Sequence, residues 1–105
     1  MTPKYKRMLD GMQKKEKRRR KKSEPWFLYI LRCADDSLYT GITNNLERRF
    51  KAHTDGRASR FTRTRRPVEM CYQEPCKSRT QALIREYAVK QLPRKKKFEL
   101  IASLP

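Results

Sequence analysis

Apolar and polar positions divide the chain into a short series of elements. Trp26 to Cys33 (WFLYILRC) is a nearly unbroken apolar run whose alternation puts Phe27, Tyr29 and Leu31 on one face of a strand. Ala34 to Ser37 is a polar turn, and Leu38 to Thr43 (LYTGIT) reads as a second strand, so the pair predicts an antiparallel hairpin. Gly41 suits a bulge or a close backbone approach. Asn44 stands three residues before Glu47, a capping-box-like start for a helix over 45–54 with Leu46 and Phe50 as its apolar stripe. Arg49 and His53 share a spacing of four on a neighbouring face of that helix. Asp55 to Arg66 is polar and basic, with a short helical turn expected around Ser59 to Thr62.

Further along, Pro67 to Gln73 alternates Val68, Met70 and Tyr72 with Glu69, Cys71 and Gln73, the pattern of a half-buried third strand. Ser78 and Gln81 form a second cap-like pair ahead of a helix over 79–92. Its buried face is expected from Leu83, Tyr87 and Leu92, with Ile84 and Ala88 beside them. Pro93 either breaks this helix or starts a last one through Phe98 and Ile101. The order β-β-α-β-α-α predicts an α+β fold, a small three-stranded antiparallel sheet flanked by helices, over residues 25–105.

Charge changes the picture at the N-terminus. The chain carries 28 Lys and Arg against 11 acids, a formal +17 over 105 residues. Residues 1–24 alone hold +8, and Lys14 to Lys22 contains eight basic residues and one Glu. Mutual repulsion and few apolar side chains predict a disordered basic tail. So basic a chain needs a polyanionic partner. No apolar run approaches the ~20 residues that span a bilayer, and the basic start lacks an apolar signal core, so a membrane is not expected and nucleic acid is. A cytoplasmic location follows as an expectation, with association to the nucleoid as a variant of it. Cys33, Cys71 and Cys76 form no C-x-x-C pair, which predicts reduced thiols and no cysteine-based metal site. The sequence sets no oligomeric state.

No Walker loop, G-x-S-x-G, H-E-x-x-H or dinucleotide fingerprint is present, and one histidine excludes a multi-histidine metal centre within a monomer. What remains is a spacing: Tyr29, then Tyr39 ten residues on, Arg49 ten beyond that, and His53 one helical turn later. Leu28-Tyr29-Ile30 and Tyr39-Thr40-Gly41 resemble the two halves of the GIY-YIG nuclease signature. The stretches WFLYILRCADDSLYTGITNNLERRFKAH, ASRFTR and ALIREYAVKQL are similar to the small stand-alone, UPF0213-like branch of that superfamily, over residues 26–102. The first motif lacks its glycine, and Thr40 replaces the middle isoleucine of the second.

The resemblance implies a metal-dependent endonuclease acting on phosphodiester bonds, with Mg²⁺ or Mn²⁺ as the single divalent ion and Glu86 as its carboxylate. It implies that Arg49, rather than Arg48, stabilises transition-state charge. Either Tyr29 or Tyr39 takes a proton from water, its pKa lowered by the guanidinium and a metal-bound water, and His53 hydrogen-bonds a tyrosine or the phosphate. Basic residues suited to nucleic acid are Arg48, Arg57, Arg60, Arg63, Arg65, Arg66 and Lys90, with Phe61 either stacking on an unpaired base or tucked into the core. That arrangement favours single-stranded or junction substrates over base-specific duplex reading; DNA is expected rather than RNA, single-stranded or structured, with DNA repair or processing as the setting. The alternative is a non-catalytic DNA- or RNA-binding protein on an inactive nuclease scaffold. Glu86 also stands four residues before Lys90, which allows a plain surface ion pair.

Overall fold

The structure is a computed structural model that describes residues 25–103; the expected basic tail, residues 1–24, lies outside them. Three strands, β1 (Trp26–Cys33), β2 (Leu38–Thr43) and β3 (Val68–Cys76), form an antiparallel sheet in the order β2-β1-β3. Helices α1 (Leu46–Thr54) and the single turn α2 (Arg60–Arg63) follow β2, while α3 (Arg79–Lys90) and α4 (Arg94–Ala102) follow β3. The α+β architecture and the element order are those read from the hydrophobic pattern. Pro93 does both things open to it, stopping α3 and serving as the N-cap of α4.

As the middle strand, β1 is covered on both faces, with Leu28, Tyr29, Ile30 and Leu31 each at most 1 % exposed. An unbroken apolar run is the mark of a strand buried on both sides. On one face, Leu28 and Ile30 pack with Tyr72 of β3 and Val89 of α3, and Leu38, Leu92, Leu100 and Ile101 lie around them. Strand alternation puts Tyr29 and Leu31 on the other face, under α1 and α2. The irregularity in the sheet falls between β1 and β3, where Ile30 pairs with Tyr72 and Leu31 with Met70, leaving Cys71 as the extra residue. Gly41 is therefore not a bulge; it pairs in register with Tyr29.

Two helix details differ from expectation. The N-cap of α1 is Asn45, whose side chain accepts from the Arg48 amide at 2.9 Å, and not Asn44. Ser78 caps α3 through the Gln81 amide at 3.1 Å, as its spacing implied, but the helix presents a different face to the sheet. Ala82 and Val89 are fully buried, whereas Leu83, Ile84 and Tyr87 are 39, 58 and 70 % exposed. At 100° per residue, positions 82, 85, 86 and 89 share one arc. Arg85 sits in that arc because it pairs with Glu74 of β3 at 2.6 and 3.2 Å, and Tyr72 donates to the same carboxylate. Small Ala82 and these polar partners, rather than bulk, set the helix rotation. The same rotation turns Glu86 inward, with its side chain 20 % exposed.

Candidate active site

Tyr29 of β1 extends over Gly41 of β2. A Cβ at position 41 would lie 2.5 Å from the Tyr29 hydroxyl and 2.7 Å from its Cζ, so only glycine leaves room for the phenol. The hydroxyl meets His53 Nε2 at 2.8 Å, and His53 Nδ1 meets Thr62 Oγ1 of α2 at 2.8 Å. His53 and Thr62 are both 0 % exposed. Tyr39 stands beside this pair, its ring 6.4 Å from that of Tyr29 and 5.1 Å from the imidazole. Behind Tyr39 lies Phe61 at 5.8 Å, and Arg65 covers Phe61 with its guanidinium carbon 3.9 Å from the ring centre. Arg65 is itself held by Asp35 at 3.1 Å and by the Phe61 carbonyl at 3.0 Å.

Burial dominates the electrostatics of the pair. Tyr29 is pushed up to about 12, chiefly by burial and by the neighbouring Tyr39, against the pull of the Arg49 charge and hydrogen bond. Without a metal, the guanidinium does not outweigh desolvation, and the resting phenol is neutral. Burial, with Arg49 adding to it, lowers His53 from 6.5 to about 4, so the imidazole is neutral as well. The sign follows from proton counting: between pH 6.5 and about 4 the unfolded chain binds a proton at His53 that the folded chain refuses. Stability contributed by neutral His53 is complete above pH 6.5 and falls as pH drops, by at most about 3 kcal/mol. Urea unfolding of native protein and His53→Gln at pH 7 and pH 5 checks this, with the variant expected to give the flatter profile.

Arg49 is half-buried, and its Nε is enclosed without a hydrogen-bond partner. It lines a cleft of about 370 Å³ together with Trp26, Thr43, Asn44, Arg48 and Arg57. Enclosing a guanidinium N–H without a partner is costly. Arg48 is exposed at the cleft rim. The other basic residues separate into two groups. Arg57 is paired with Asp55 at 3.2 Å, Arg65 is held as described, and Arg66 donates to the carbonyls of Arg63 and Thr54. Arg60 and Arg63 are exposed. Phe61 is half-buried against Tyr39, the packing reading of the two.

Glu86 is paired with Lys90 at 3.2 Å, the ion pair that their spacing allowed, and its carboxylate is among the charges that raise Tyr29. Among the described residues no three His, Cys, Asp or Glu side chains gather. One inward carboxylate whose charge reaches Tyr29 fits a hard cation that takes most of its ligands from water and phosphate, and it fits no all-protein cage. The three cysteines are free thiols, and Cys33 is buried in β1. Thr62, Ser59 and Trp26 were not singled out from sequence. Ser59 and Thr62 were legible as a helical turn, but no spacing rule ties Thr62 to a histidine nine residues earlier.

The tyrosines, histidine and arginine of this cluster lie on a β-hairpin and its following helix, and residues 25–99 match the GIY-YIG catalytic domain. The chain belongs to the GIY-YIG family. It is 49 % identical over 77 residues to a UPF0213 protein of Desulfotalea psychrophila, covering 72 % of this chain and 70 % of that one. A UPF0213 protein of Clostridium perfringens is also 49 % identical over 77 residues, covering 73 % and 83 %. The solution NMR structure of a UPF0213 protein from Bacillus halodurans superposes with a TM-score of 0.50 at 38 % identity, over 74 % of this chain and 83 % of that one. A nuclease domain implies a nucleic-acid substrate, and among the described residues no helix is long and apolar enough to cross a membrane.

Proposed function

We propose that the protein is a divalent-metal-dependent endonuclease that hydrolyses phosphodiester bonds in single-stranded or structured DNA, as part of DNA repair or processing in the cytoplasm. The observation that carries the reading is Arg49, half-buried with an unpartnered Nε, which lines the cleft while its charge acts on the Tyr29–His53 pair. Arg49 binds the scissile phosphate and stabilises the charge that grows on its oxygens. Tyr29, neutral at rest, accepts a proton from the attacking water while its own proton moves toward His53 Nε2. Tyr39 orients the water or the phosphate, and Arg48 holds the flanking backbone. Glu86 would hold a Mg²⁺ or Mn²⁺ ion, which supplies electrostatic relief at the phosphate and makes water more acidic. Loading the ion requires Glu86 to leave Lys90.

The test is cleavage of labelled single-stranded DNA, duplex DNA and RNA, each with Mg²⁺, Mn²⁺ or EDTA. Cutting of the single-stranded or structured DNA with metal, abolished by EDTA, is expected. Binding of all three without cutting under either metal would instead identify a nucleic-acid-binding protein on a nuclease scaffold. Cutting that survives EDTA would remove Glu86 from its proposed role.

A further inference from the structure

We propose that Thr62, with Ser59 behind it, holds His53 in the tautomer protonated at Nδ1, so that the Tyr29 hydroxyl must donate to Nε2 and keeps one lone pair for water beside the one that accepts from Arg49. The inference rests on the hydrolytic reading of the site and adds a positioning residue to it. Both imidazole nitrogens of His53 meet hydroxyls at the same distance, 2.8 Å, and a hydroxyl can donate or accept. The choice of tautomer therefore depends on where each hydroxyl can send its own proton. Thr62 Oγ1 has two other acceptors, the Ser59 carbonyl at 3.4 Å and Ser59 Oγ at 3.3 Å. Ser59 is fixed in turn, because its Oγ caps α2 by accepting from the Thr62 amide at 3.2 Å. For Tyr29, the acceptor among the hydrogen bonds of the described residues is His53 Nε2, and its other neighbour, Arg49, is a donor. One arrangement places every proton: Thr62 to Ser59, Nδ1–H to Thr62, and Tyr29 to Nε2. In the opposite tautomer Nε2–H points at a phenol already facing Arg49, and the phenol's proton must turn outward, where it opposes acceptance from water.

The single histidine of the chain makes the test direct. Long-range ¹H–¹⁵N correlation spectra at pH 7, recorded without substrate, distinguish the pyrrole-type from the pyridine-type nitrogen. The expected native result is a protonated Nδ1. Thr62→Val keeps the shape and the amide cap but removes the acceptor. It is expected to shift His53 toward Nε2–H and to lower kcat by about 10- to 100-fold, as for other partners that fix a histidine's tautomer, with KM little changed. Thr62→Ser restores both the spectrum and kcat. A native spectrum showing Nε2–H overturns the proposal without any variant. So does a Thr62→Val protein that loses activity while Nδ1 stays protonated, or one that changes tautomer with kcat intact. If no substrate is cut by native protein, the spectra still decide the tautomer, and the loss falls on the hydrolytic reading instead.

Discussion

Arg49→Ala is expected to lower cleavage by about 10²–10³-fold with the fold retained, the usual cost of removing one donor aimed at developing charge. Arg49 is half-buried on α1, and its charge acts on both the phenol of Tyr29 and the imidazole of His53. Its neighbour Arg48 is exposed at the cleft rim, so Arg48→Ala should chiefly weaken substrate binding. Steady-state kinetics on both variants, with circular dichroism to confirm folding, separate the two. A loss of kcat at Arg49 with little change at Arg48 is the expected pattern. Equal losses of kcat in two folded proteins would place the charge-stabilising role elsewhere on α1.

Gly41→Ala is expected to be nearly as damaging although it adds a single methyl group. That methyl would overlap the Tyr29 hydroxyl and ring, and Tyr29 cannot yield easily because it is 1 % exposed and hydrogen-bonded to a fully buried histidine. Two losses follow. Overpacking should cost about 1–3 kcal/mol of stability. Moving the phenol by even ~1 Å from the phosphate and the water should cost about 10²-fold in rate. Thermal unfolding and single-turnover cleavage measure the two independently. A variant that keeps native cleavage would mean that Tyr29 does not need the position over Gly41 to act.

The fold was legible from sequence wherever local chemistry decides it. The β1–β2 hairpin, the cap at Ser78 and the turn at Ser59–Thr62 all follow from residue type and spacing. The rotation of α3 was not legible, because Leu83, Ile84 and Tyr87 form the bulkier apolar group and yet face outward. Its determinant is the pairing of Arg85 with Glu74, eleven residues away on a strand, which no helical periodicity records. The site shows the same division. The Tyr29, Tyr39, Arg49 and His53 spacing is local and could be read directly. The weight of burial on the Tyr29 phenol was not legible, because burial is a tertiary quantity. Thr62 was missed because its partner lies on another helix.

The stacked wall of Asp35, Arg65, Phe61 and Tyr39 bears on how the connection between α1 and β3 meets a polyanion. By sequence, that connection holds five arginines, 57, 60, 63, 65 and 66, and each would count as a cation able to displace a condensed counterion. Arg65 is already neutralised by Asp35 and Arg57 by Asp55, whereas no acid among the described residues pairs with Arg60, Arg63 or Arg66. At ~0.7 per contact with the proposed single strand, the connection is expected to add about 2 to the salt dependence of binding, where a composition count gives about 3.5. Part of the positive charge in this loop thus shapes the aromatic wall of the site and does not attract the substrate.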